Sequence, residues 1–144
     1  MKKLLCFTLV LALALLAACS PSGGSDKVYQ IRKCSFVLPA SWSDELSIED
    51  NGQYNSEDDG MAVTVSYDDT AVSLPDLLKD EEYEVGSVTV DGEETRLFTF
   101  MADGYYCKRF IVERPDGAYS FTVISEEENP QIYEQFLQSI KFDD

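Results

Sequence analysis

The chain has 144 residues, of which 27 are Asp or Glu, 11 are Lys or Arg and none is His. A formal charge of −16 makes nucleic acid an unsuitable partner, since a phosphate backbone calls for a basic surface. Without imidazole there is no His-dependent catalytic triad and no His-ligated zinc.

Lys2 and Lys3 open the chain, an apolar run from Leu4 to Leu16 follows, and Ala17, Ala18 and Cys19 close it. The run is shorter than the roughly 20 apolar residues of a bilayer span and ends in small residues, which favours cleavage over permanent insertion. Leu16-Ala17-Ala18-Cys19 closely resembles the bacterial lipoprotein signal: an aliphatic residue, two small ones, then the Cys that is thioether-linked to diacylglycerol. The resemblance implies a signal peptide over 1–18, covalent diacylglycerol on Cys19, and a protein held by its lipid on the extracytoplasmic face of the cell membrane. An uncleaved anchor and an unlipidated secreted form are the alternatives. Loss of Lys2 and Lys3 takes the net charge from −16 to −18, so anionic lipid would repel the domain while the acyl chains hold it. Ser20-Pro21-Ser22-Gly23-Gly24-Ser25 reads as a flexible spacer, giving a lipidated Cys and tether over 19–27 and a single domain over 28–144.

With Cys6 in the signal and Cys19 acylated, Cys34 and Cys107 remain. Two thiols in an oxidising compartment suit one disulfide, and a pair of small buried thiols is the alternative. They are too far apart in sequence for a redox Cys-x-x-Cys turn.

Alternation of period two marks a strand from Tyr29 to Leu38, stopped by Pro39, with Trp42 in a turn where its ring caps the core. A polar stretch leads through Gly52 to Ser56, and Asp59-Gly60 turns the chain into a strand whose Met61, Val63, Val65 and Tyr67 share a face. Over Ser73–Asp80 the period changes: Ser73 caps, Pro75 suits a first turn, and Leu74, Leu77 and Leu78 form the stripe of a short helix. Strands over Glu84 to Val90 and Thr95 to Phe100 join through Asp91-Gly92. Strands over Tyr105 to Glu113 and Ala118 to Ser125 join through Pro115-Asp116-Gly117. Asn129 caps and Pro130 opens a C-terminal helix in which Ile132, Tyr133, Phe136, Leu137 and Ile140 recur at helical spacing.

Hairpin-joined strands with helices laid on them predict an α+β fold, an antiparallel meander carrying a short helix and a C-terminal amphipathic helix. At this point the chain resembles the PsbP-like family through Phe36-Val37-Leu38-Pro39-Ala40-Ser41-Trp42, the hairpin meander and the closing helix. The resemblance implies an α/β sandwich over about Tyr29 to Phe142 and an accessory or docking role without catalysis. It assigns no functional residue.

No Gly-rich phosphate cradle is present, and no pair among the many carboxylates stands out as a glycosidase pair. The acidic clusters are either a solvated surface or a calcium site, for which Asp58, Asp59, Asp68 and Asp69, flanking one strand, are the first candidates. Arg96, Lys108 and Arg109 either hold an anionic ligand or pair with neighbouring acids. Tyr54, Tyr67, Tyr105, Tyr106 and Tyr119 either line a recognition surface or fill the core; adjacent Tyr105 and Tyr106 cannot face the same side. The expected function is a non-catalytic, lipid-anchored envelope protein docking an unidentified protein partner. Calcium or small-ligand binding is the alternative, and an acid-dependent hydrolase would need a cleft with a carboxyl of raised pKa.

Overall fold

The computed structural model describes residues 26–69 and 82–143, and both the lipobox and the helix expected over Ser73–Asp80 lie outside them. The described chain runs β1 (Lys27–Ile31), β2 (Cys34–Leu38), β3 (Ser43–Ile48), β4 (Asn51–Ser56), β5 (Met61–Asp68), β6 (Tyr83–Val90), β7 (Glu93–Ala102), β8 (Tyr105–Arg114), β9 (Gly117–Ser125), α1 (Gln131–Ser139) and β10 (Lys141–Phe142). All pairings are antiparallel. One sheet has the order β1-β2-β10, the other β3-β4-β5-β9-β8-β7-β6.

This corrects the α+β expectation. The described fold is mostly β, two antiparallel sheets with one nine-residue helix. The reason lies at the end of the amphipathic stripe: Ile140 leaves the helix with extended angles (φ −66°, ψ 126°), and the chain immediately pairs with β2 as β10. The helix therefore plugs a gap between sheets and does not form a layer. Asn129 is not its cap either, because the N-cap position is held by Pro130 and no side chain bonds the helix start.

Two further elements differ from expectation. The single strand expected over Tyr29 to Leu38 is the hairpin β1–β2, turning at Arg32 with φ 52°. A left-handed Arg is unfavourable by itself, so no glycine or asparagine announces the turn. Tertiary partners hold it: the Arg32 guanidinium bonds Asp50, lies 3.3 Å from Glu49 and stacks 5.2 Å from the Tyr67 ring centre. The polar stretch before Asp59 is the hairpin β3–β4, which the alternation rule misses because β4 buries only Gly52 and Tyr54.

Register explains the core. Leu97, Phe110, Phe121, Val65 and Gly52 form one row across five strands, and Phe110 and Phe121 stack with centroids 4.8 Å apart. The small sheet covers this face near β4, where Tyr29 and Phe36 pack on Tyr54. Beside it the helix inserts Phe136 between Phe36 and Phe121 and reaches β6. On the opposite face of the large sheet Phe98, Phe100 and Cys107 make a second, smaller cluster.

One side chain ties the two sheets together. Asp91, at the β6–β7 turn with φ 48°, accepts from Lys141 Nζ at 2.9 Å and from the Phe142 N–H at 3.0 Å. The hydrogen bond from Lys141, with help from Phe142, holds its carboxyl below the ordinary 3.8. A lowered folded pKa means that the clasp stabilises fully above 3.8 and is lost as pH falls through the lowered value. Asp91→Asn keeps the left-handed turn but loses the charge, and for so exposed a pair the cost is about 0–1 kcal/mol. Thermal unfolding should show the variant slightly less stable near neutrality, with the difference disappearing on acidification below 3.8. A constant difference across that range would mean the charge is irrelevant.

Candidate functional site

Period two places Tyr106, Lys108, Phe110 and Val112 on the face of β8 that looks towards the helix. Three of these suit an interior and the fourth is a cation. Lys108 is 7% exposed, its Nζ donates to the Glu128 carbonyl, and the ammonium sits 5.0 Å from the centre of the Tyr133 ring. Burial pushes its pKa down, while Glu128 and Glu134 pull the other way. The Tyr133 ring is buried, its hydroxyl has no hydrogen-bond partner among the described residues, and burial pushes its pKa up. Lys108 thus pins the loop before the helix to the sheet through its bond to the Glu128 carbonyl.

Around this lysine the helix and the β6–β7 ribbon diverge. A cleft of about 790 Å³ opens on one side of it, lined by Glu84, Thr99, Met101, Tyr106 and Glu128 among others. A second of about 540 Å³ opens on the other side, lined by Val88, Asp91, Tyr133, Leu137 and Gln138 among others. Both clefts touch Leu97, Lys108 and Asn129, so they meet at Lys108: the smaller lies between the helix and β6, the larger between the loop before the helix and strands β6 to β8, and together they make the groove beside β6. Its lining mixes apolar Leu97, Met101, Val88 and Leu137 with polar Lys108 and Asn129, and Glu82, Glu84, Glu128 and Glu134 stand around it, a composition suited to holding an extended or amphipathic guest.

The residues singled out in the sequence are dispersed by the fold. Arg96 and Arg109 project from the face of the sheet opposite Lys108, so the three cations do not converge. Arg109 lies instead 5.2 Å from the Phe100 ring centre. Asp58 and Asp59 precede β5 and Asp68 and Asp69 end it, a separation of about 23 Å at the rise of a strand. Asp59 accepts the Trp42 indole N–H at 2.7 Å, and among the described residues no three His, Cys, Asp or Glu side chains gather to hold a metal ion. Tyr54 and Tyr119 are core, Tyr105 is exposed, and Tyr106 turns into the groove. The groove itself was not foreseen, although the inward place of Lys108 in the alternation was its signal.

The expected bridge between Cys34 and Cys107 is not formed. Cys34 is a free, buried thiol in the main core, whereas Cys107 belongs to the second cluster across the sheet. Both cysteines lie in strands, as expected, but one sequence does not reveal that their side chains enter different cores. Burial, aided by the Asp91 carboxylate, pushes the Cys34 thiol up to about 12. A thiol so protonated is a poor nucleophile. Cys34 should stay unlabelled by a thiol reagent at pH 8 in the folded protein and react on unfolding, read by peptide mass mapping; rapid labelling in the folded state would contradict its burial.

The sequence matches no family model and no curated protein.

Proposed function

We propose that this chain is a lipid-anchored docking protein of the cell envelope, which binds a protein partner along the groove between α1 and β6. The observation that supports this reading is the groove, an open channel beside β6 and the helix with a mixed apolar and acidic lining. Diacylglycerol on Cys19 would hold the protein at the extracytoplasmic membrane surface. The seven residues between Cys19 and β1 reach at most about 25 Å when extended, which would hold the start of the domain near the membrane. No helix among the described residues is long and apolar enough to cross a membrane.

The test is crosslinking in cells, followed by mass spectrometry, of three full-length forms: the natural chain, Cys19→Ala, and Thr99→Trp, which fills the groove from β7. One dominant partner captured by the natural chain and lost in both variants is the expected result. Capture that is equal in all three forms would sink the reading. A second reading, a small guest in place of a protein, is favoured by the volume of the larger cleft, within the range of about 300–1,000 Å³ that small ligands occupy. Such a guest would raise the unfolding temperature saturably as it is added.

A further inference from the structure

Strand β6 ends the seven-stranded sheet, and among the described residues nothing pairs with its outer edge. Such an edge offers a row of main-chain donors and acceptors to any extended chain, and proteins normally blunt it. At the other end of this sheet the blunting is visible: β3 has a register break between Asp44 and Leu46 and carries Asp44 and Glu45. By contrast β6 is eight residues long, contains neither Pro nor Lys, and pairs with β7 without a break from Tyr83 to Val90. Gly86, at its centre, has open space where a side chain would stand.

The two sides of this edge differ. Tyr83 and Val85 are on the face away from the helix, 38% and 56% exposed, with Tyr83 packed edge-on against Phe98. On the helix side Glu84 stands at the mouth of the groove, whose rim adds Glu128 and Glu134. Glu82 precedes the strand, and Glu93 and Glu94 follow its turn. The cations nearby, Arg96 opposite Ser87 and Lys108 and Lys141 in the groove lining, are outnumbered, and Lys108 and Lys141 are already engaged by the Glu128 carbonyl and by Asp91.

Resting on the docking role proposed above, we infer that β6 receives the partner as an added strand, and that the partner's segment is extended and alternates apolar with basic residues. Backbone pairing supplies the alignment. Apolar side chains of the incoming strand then lie beside Tyr83 and Val85, and its basic ones lie beside Glu84 and over the groove. A second copy of this chain has the wrong charge: β6 itself contributes only Glu84, and each copy carries −16.

The probe is a fluorescent eight-residue peptide of alternating Lys and Val, titrated into the full chain in detergent and read by anisotropy. Two control peptides accompany it, one with Glu for Lys and one N-methylated on alternate amides, which keeps every charge and side chain but cannot pair as a strand on its methylated edge. The Lys-Val peptide should bind saturably, the N-methylated one about tenfold or more weaker, and the Glu one not at all. Glu82→Lys with Glu84→Lys should weaken the Lys-Val peptide about threefold or more and restore some binding of the Glu peptide. Equal binding of the methylated peptide, indifference to charge reversal, or no saturable binding overturns the inference.

Photocrosslinkers at Val85 and, separately, at Gln138 on the helix side separate this inference from the reading it rests on. Crosslinking of the Lys-Val peptide at Val85 supports strand addition. Reaction at Gln138 alone overturns it and leaves the groove as the docking site, whereas failure at both, with no partner captured in cells, removes both.

Discussion

Truncating Phe136 to Ala is expected to cost about 3–5 kcal/mol, the range for removing a buried aromatic side chain and leaving its cavity. The ring is 1% exposed and makes edge contacts with Phe36 at 5.7 Å and tilted ones with Phe121 at 6.3 Å between centroids. It is therefore the point where the small sheet, the large sheet and the helix meet. A nine-residue helix is too short to persist alone in water, so its stability comes from this docking. The loss should exceed simple cavity cost in one respect: with the helix loosened, Lys108 loses the ring of Tyr133, and the groove beside β6 loses a wall. Denaturant unfolding followed by far-ultraviolet circular dichroism measures the stability, and the exposed neighbour Gln135→Ala serves as control, with an expected change within about 0.5 kcal/mol. Similar losses for the two variants would show that the helix is not held as described.

The strands that span the sheet were readable because their alternation is regular and their turns are spelled out. Asp91-Gly92 adopts φ 48° and 81°, the paired left-handed conformation of a tight hairpin. The same logic failed at Arg32, where a turn is imposed by distant carboxylates, and at β4, where half the inward positions are occupied by a glycine. Fold class went astray for a related reason. Helical spacing from Ile132 to Ile140 is real, but it says nothing about where the next residues pair, and β10 follows at once. The phrase from Phe36 to Trp42 proves to be a structural corner, its ends sunk in the core and its Trp tied to Asp59. The groove was the least legible feature, since a concavity depends on how far the helix stands from β6, and no residue type encodes that distance. Only the inward Lys108 carried a trace of it.

Gly52→Ala should be destabilising by about 1–3 kcal/mol, at the upper end of that range for overpacking, although alanine ordinarily improves on glycine within a strand. A Cβ placed on Gly52 would lie 2.6 Å from Cζ and 2.7 Å from Cε2 of Tyr54, which leans back across it. That ring has nowhere to withdraw: it is 2% exposed, with Tyr29 at 4.3 Å and Phe36 at 5.5 Å between centroids. The effect is a collision with one side chain and not a demand of the backbone, which a double-mutant cycle can separate. In a Tyr54→Ala background, itself less stable, adding Gly52→Ala should cost little or be favourable, because the obstructing ring has gone. An equal cost in both backgrounds would move the cause to the β4 main chain. The cycle also bears on the small sheet, since Tyr54 is the seat on which Tyr29 and Phe36 rest. If the ring is displaced by the new methyl, β1 and β2 should lose amide-exchange protection before β8 and β9 do.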